Sequence, residues 1–188
     1  MAKKSDSANL VIAISSSALF DLSESDRIFR EKGLTAYSKY QIENENVVLN
    51  QGDAFHLAQK LLNINKLSKK KLVEIILLSR NSADTGLRVF NSIKHYNLDI
   101  KRAAFSGGSS PYRYISNFSC DLFLSRNSID VREALENNLA AATLISSNSK
   151  QYVDSQIRFA FDGDSVLFSD SSETVSYTHL TLPTIVRV

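Results

Sequence analysis

Residues 72–78 read LVEIILL, a near-continuous apolar run of strand length. A strand with one face in water alternates polar with apolar residues, whereas one covered on both faces does not. The run therefore predicts a central strand of a parallel sheet. Parallel neighbours need crossover connections, usually helices, and the rest of the chain supplies them. Asn9 to Ile14, Ala103 to Phe105, Asp121 to Leu124 and Ala141 to Ile145 read as further strands. Apolar residues at helical spacing predict a helix through Ile28, Phe29, Leu34, Tyr37 and Tyr40, interrupted near Gly33. Further helices are expected from Asp53 to Leu62, from about Ser82 to Tyr96, and from Ser128 to about Asn137. Ser23 with Asp26, and Ser110 with Pro111, read as helix starts. Strand, loop and helix repeated with short connections give an α/β fold: a Rossmann-like parallel sheet with helices on both faces.

The expected strand ends share a chemistry. Ser15–Ser17, Ser79–Asn81, Ser106–Ser110 and Ser125–Asn127 all follow strands. Parallel strands put these segments on one edge, where open α/β sheets bind ligands. Hydroxyls, amides and backbone N–H groups suit a phosphate or another anion. The same residues also serve as helix caps, and both readings stand. Ser79, Arg80 and Asn81 are the substrate-binding candidates.

A different chemistry stands at 157–173, IRFAFDGDSVLFSDSSE. Ile157, Phe159, Ala160 and Phe161 read as a buried strand that ends in Asp162-Gly163-Asp164. Two carboxylates one residue apart can divide labour, one attacking or holding a metal while the other moves a proton. Asp-Gly between apolar residues is also a strong hairpin signal, so a plain turn remains the alternative.

The two ends of the chain look alike. Aligning Ala13 with Ala160 sets Ser15 over Asp162, Ser16 over Gly163 and Ser17 over Asp164. Both segments then run apolar and turn acidic. This reads as a duplicated unit. A hard divalent cation needs carboxylate oxygens, so the first copy is expected to be chemically silent and the second to carry the reaction.

Composition removes other functions. The net charge is +2, from 22 basic and 20 acidic residues, which gives no reason to expect a nucleic acid polymer as partner. Four lysines at 66, 69, 70 and 71 lack interleaved aromatics and read as a solvated loop. The single cysteine, Cys120, excludes an intrachain disulfide and fits a reduced, cytoplasmic setting; beside Leu122-Phe123-Leu124 it reads as a buried structural thiol. His56 and His95 fall in helices without ligand-like spacing and read as structural. No signal peptide or membrane span is expected.

Five segments together resemble one family: SSSALFD (15–21), LLSRNSADTGLRVFNSIKHY (77–96), FSGGSSPYRYI (105–115), DLFLS (121–125) and FDGDSVLFSD (161–170). The chain resembles the cytosolic 5'-nucleotidase type 1 family of haloacid dehalogenase-like (HAD-like) phosphatases. The last segment fits the D-x-D-x-[TV] signature of that superfamily, with Val166 at its final position. The resemblance implies hydrolysis of nucleoside 5'-monophosphates such as AMP or IMP, with Mg²⁺. Asp162 would be the nucleophile that forms an aspartyl-phosphate. Asp164 would protonate the leaving oxygen and then activate water. Both would serve the metal. The family also needs a Ser or Thr, a Lys or Arg, and a further acid on later strands. Ser79, Ser109, Arg113 and Ser125 hold only loosely corresponding places, in the silent copy.

The expected division is a disordered 1–8, a degenerate HAD-like unit at 9–146, a linker at 147–156, and the first strand of a second, catalytic unit at 157–174. Val175 to Val188 resembles a translated adapter and is expected to be a non-native tail, leaving His179 without a role. Such a chain is expected to be inactive alone. A non-enzymatic nucleotide- or partner-binding domain is the alternative, and a homo-oligomer is compatible with either.

Overall fold

The structure, a computed structural model, describes residues 9–83, 85–145 and 156–160. Five parallel strands form one sheet: β1 Leu10–Ser15, β2 Val73–Ser79, β3 Arg102–Phe105, β4 Leu122–Ser125 and β5 Ala141–Thr143. Their order is β3-β2-β1-β4-β5. β2 is buried at all seven positions, as its unbroken apolar run requires.

Six α-helices connect the strands: α1 Ser16–Leu19, α2 Ser23–Glu43, α3 Phe55–Asn63, α4 Leu87–His95, α5 Tyr112–Asn117 and α6 Ser128–Glu136. Alternate strand residues point to opposite faces. Val11, Ala13, Ile76, Leu78 and Phe123 pack with Ile115 of α5 and Ala134 of α6. Ile12, Ile14, Ile75 and Leu77 are equally buried on the other face, where α1 and α3 contact β2. The α/β architecture with helices on both faces is the one expected.

Several local details differ. The serines at 15–17 do more than end β1: Ser15 caps the four-residue α1, and its Oγ accepts from the Ala18 N–H at 3.3 Å. Ser23 does not cap α2. Asp21 reaches forward instead and accepts from the Ser23 N–H at 3.0 Å and the Ser23 hydroxyl at 2.6 Å. At α5 the N-cap is Pro111 with no side-chain bond, and Ser110 Oγ is buried without a partner. Gly33 breaks α2 with φ 78°, a left-handed value that glycine tolerates.

Gly52 lets two segments touch. A Cβ there would lie 2.6 Å from the Ala18 carbonyl oxygen and 2.8 Å from the Phe20 nitrogen. The Gly52 N–H donates to the Leu19 oxygen at 3.0 Å, which ties the start of α3 to the end of α1.

The chain divides into two compact units, Met1–Ser155 and Gln156–Val188. Residues 156–160 carry neither helix nor strand, and Phe159 is 67% exposed. The buried strand expected to begin at Ile157 is thus not formed over these residues. Apolar alternation selects a face, but a strand also needs a neighbouring backbone to pair with, and the described sheet draws no strand from beyond β5. Asp162, Asp164, the linker at 147–155 and the tail at 175–188 lie outside the described residues.

Candidate functional site

All five strands end on the same edge, and a cavity of about 470 Å³ opens there. Ser15, Ser16 and Ser17 reach it from β1, Arg80 and Asn81 from β2, and Arg126 and Asn127 from β4. Asp26 and Arg30 of α2 and Asp130 of α6 complete its polar wall. Three of the four serine-bearing segments expected on this edge therefore meet in one place. The fourth departs: Ser106, Ser109, Ser110 and Arg113 line a separate cavity of about 530 Å³.

The two turns flanking β1 have the same sequence, Ser-Arg-Asn, and the same construction. After β2, Ser79 Oγ accepts from the Asn81 N–H at 3.2 Å. After β4, Ser125 Oγ accepts from the Asn127 N–H at 3.1 Å. Both serines are buried, at 1% and 0% exposure. Each spends its hydroxyl on folding the turn, and that fold sends the next residue, an arginine, to the cavity.

Ser79 therefore supports the site rather than facing it. Its hydroxyl also meets Ser16 Oγ at 2.9 Å. Arg80 is clamped between elements. It donates to the buried Asp130 carboxylate, including a 3.0 Å bond from Nε to Oδ1, and to the Gly108 oxygen at 2.9 Å. The Asp130 hydrogen bond raises the Arg80 pKa above its ordinary value, so its charge is fixed. Asn81 accepts from the Tyr37 hydroxyl at 2.8 Å, and its Nδ2 is buried without a partner. Arg126 pairs with Asp53 at 3.2 Å.

Of the three substrate-binding candidates, Arg80 and Asn81 line the cavity and Ser79 does not. The sequence reading placed Ser125–Asn127 on this edge without making Arg126 or Asn127 a site candidate, and it gave Asp26, Arg30 and Asp130 no role in a site. The repeated Ser-Arg-Asn was the signal for the first two, since an identical tripeptide after a second strand implies an identical turn. Asp26, Arg30 and Asp130 gave no such signal, because only the folded chain brings the helices to the edge.

The donors on this edge do not suit a divalent cation. The aligned positions hold serines; Ser15 Oγ and Ser17 Oγ lie 3.3 Å apart. The Asp130 carboxylate is taken by Arg80. No group of three or more His, Cys, Asp or Glu capable of holding a metal occurs among the described residues. Guanidinium and hydroxyl groups suit an anion.

The other singled-out residues do not line this cavity. Burial pushes the half-buried Cys120 thiol up to about 11. His56 packs edge-on against Phe55, and His95 against Tyr96, with centroids 5.6 and 5.1 Å apart. Lys66, Lys69 and Lys70 are exposed. No helix among the described residues is long and apolar enough to cross a membrane.

Comparison with known proteins gives the family. Human (Homo sapiens) cytosolic 5'-nucleotidase 1B is 37% identical over 177 residues, covering 90% of this chain and 29% of that protein. The chain thus spans under a third of the curated relative it matches. The solved structure of the HAD domain of effector protein Lem4 from Legionella pneumophila, an inactive mutant, superposes with a TM-score of 0.44 at 11% identity. It covers 77% of this chain and 89% of that one, a similarity too low to bear on fold or function. A family model described as 5'-nucleotidase matches residues 1–182, and the chain belongs to the 5'-nucleotidase family.

Proposed function

We propose that this chain is part of a Mg²⁺-dependent phosphomonoester hydrolase acting on nucleoside 5'-monophosphates of the AMP or IMP kind. The observation that carries the reading is the FDGDSVLFSD segment at 161–170 within a chain of the 5'-nucleotidase family. Asp162 attacks phosphorus, the bond to the 5'-oxygen breaks, and Asp164 gives that oxygen its proton. Asp164 then takes a proton from water, whose oxygen displaces phosphate from Asp162. Two carboxylates one residue apart supply the hard oxygen donors that Mg²⁺ takes. When bound, the ion neutralises phosphate charge, the main demand of phosphoryl transfer.

Arg80 and Asn81, on the turn that Ser79 fixes, are proposed by themselves as donors for a nucleotide's phosphate, whose oxygens suit guanidinium and amide N–H groups. The cytosolic setting in the human relative's name fits a chain with one cysteine.

The test uses the parent protein with AMP and IMP. Turnover should require Mg²⁺ and fall by at least a thousandfold in Asp162→Asn. Undiminished turnover in that variant overturns the assignment. The 188-residue chain itself should hydrolyse AMP no faster than its own Asp162→Asn variant.

A further inference from the structure

We propose that Tyr37 is a positioning residue: a one-way relay of hydrogen bonds from Arg88 through Gln41 and Tyr37 fixes the Asn81 side-chain amide, so that its NH₂ group is kept for an oxygen of the ligand. The inference rests on the reading of Asn81 as a donor to the substrate phosphate.

The relay starts where polarity cannot be exchanged, because a guanidinium only donates. Arg88 of α4 is buried and donates from Nε to the Val47 oxygen at 2.8 Å and from Nη1 to Gln41 Oε1 at 3.5 Å. The Tyr40 ring, 5.5 Å from the guanidinium carbon, helps hold it there. An amide has nearly the same shape either way round, and its partners decide which end is which. With its oxygen turned to Arg88, Gln41 turns its nitrogen away, and Nε2 donates to the Tyr37 hydroxyl at 3.1 Å. That hydroxyl accepts, and its own hydrogen goes to Asn81 Oδ1 at 2.8 Å. Burial raises the Tyr37 pKa above the ordinary phenol value, so the hydrogen stays in place. Gln41 and Tyr37 are 1% and 8% exposed, which keeps water from competing along the way.

Asn81 lines the cavity at the end of the relay. Its Oδ1 is committed to Tyr37 and its backbone N–H to Ser79 Oγ. Its backbone oxygen accepts from the Gly107 N–H at 3.1 Å. Nδ2 is the polar atom left over, buried and without a protein partner. A buried donor with nothing to bond destabilises the fold until an acceptor arrives, and an oxygen of an anion is such an acceptor.

The twin turn shows why the relay is needed. Asn127 uses its Oδ1 locally, accepting from the N–H groups of Ile129 at 3.0 Å and Asp130 at 3.4 Å at the start of α6. After Asn81, α4 begins only at Leu87 and takes no side-chain cap bond. Tyr37, from a distant helix, does for Asn81 what the helix start does for Asn127.

The experiment pairs kinetics on the parent protein with NMR on the 188-residue chain. Tyr37→Phe keeps the ring and its edge-on contact with Phe29 and removes only the hydroxyl. Gln41→Glu keeps the shape, but a carboxylate only accepts, so the Tyr37 hydrogen turns away from Asn81. Each should raise KM for AMP about tenfold, the weight of one hydrogen bond to a charged group, with kcat changed much less. Asn81→Ala should raise KM as much, and adding Tyr37→Phe to it should change nothing further. In the chain, Tyr37→Phe and Gln41→Glu should both shift the NMR signals of the Asn81 side-chain amide. A Tyr37 that only packs would lower the melting temperature, leave KM unchanged and add independently to Asn81→Ala. That result overturns the proposal, as do Asn81 amide signals unmoved by both changes. An unchanged KM in Asn81→Ala, with amide signals that still answer to Tyr37, overturns the reading of Asn81 as a phosphate donor and leaves the relay standing.

Discussion

Arg80 and Asp130 stand 50 residues apart in sequence, yet the Arg80 guanidinium donates from both Nε and Nη2 to one carboxylate oxygen of Asp130. The pair joins the turn after β2 to the first turn of α6. Its two halves differ in exposure: the Asp130 side chain is 3% exposed and that of Arg80 is 39%.

That asymmetry sets the order of two substitutions. Arg80→Met leaves a carboxylate buried and unpaired, at a cost of about 3–5 kcal/mol. Asp130→Asn leaves a half-exposed guanidinium that water can serve, at about 1.5–3 kcal/mol. Urea unfolding of both variants measures the two costs. A larger loss from Asp130→Asn would mean that the bond between the turn and α6 matters more than the buried charge.

Glu74 gives stability a pH dependence. Its carboxylate accepts from Arg102 Nε at 2.8 Å and Nη2 at 2.9 Å, with Lys71 at 3.5 Å. Burial pushes its pKa up, but the Arg102 hydrogen bonds and the Lys71 charge outweigh it, and the net shift is downward. The unfolded chain therefore binds this proton first as pH falls. The contribution is full above the ordinary carboxylate range and is lost as pH drops through that range to the lower folded value. Melting temperature should fall more steeply between about pH 5 and pH 3 in the parent than in Glu74→Gln. Parallel curves would remove Glu74 from the acid sensitivity.

Cys120 should resist alkylation. With its thiol pushed up to about 11, the thiolate fraction at neutral pH is on the order of 10⁻⁴, against a few per cent for a free cysteine. Iodoacetamide should label the folded chain about a hundredfold more slowly than the urea-unfolded chain. Equal rates would show that the thiol is open and ordinary.

Gly52→Ala should destabilise by about 1–3 kcal/mol or more, because the added carbon meets backbone atoms of Ala18, Leu19 and Phe20 that cannot swing aside. Gly107→Ala is the contrast. Nothing lies within 4 Å of its Cβ position, and only its φ of +58° is strained, at about 1–2 kcal/mol. Thermal unfolding of the two separates crowding from conformation. Equal small losses would show that the α1–α3 contact yields easily.

The sheet was legible because its strands are made of what they bury. LVEIILL admits little else, and the other strands were located to within a residue or two. Helix starts were less legible. Serine occurs at too many places that nearly satisfy a cap, so Ser23 and Ser110 were read as caps while Leu22 and Pro111 hold those positions. α1 was missed because four residues carry no period. In the site, Arg80 and Asn81 were legible as a strand end. Asp130 was not, since nothing local marks a helical aspartate as the partner of an arginine one strand away. Arg126 was legible in principle, as the second member of a repeated tripeptide.

The serine pair at the end of β1 has a chemical consequence. Ser15 and Ser17 face each other as neutral groups, and Ser15 is 7% exposed. An aspartate placed at Ser15 would sit almost dry, and a second at Ser17 would repel it. Filling this edge with acid is therefore uphill, and its alcohols leave it to uses that need no bound metal ion.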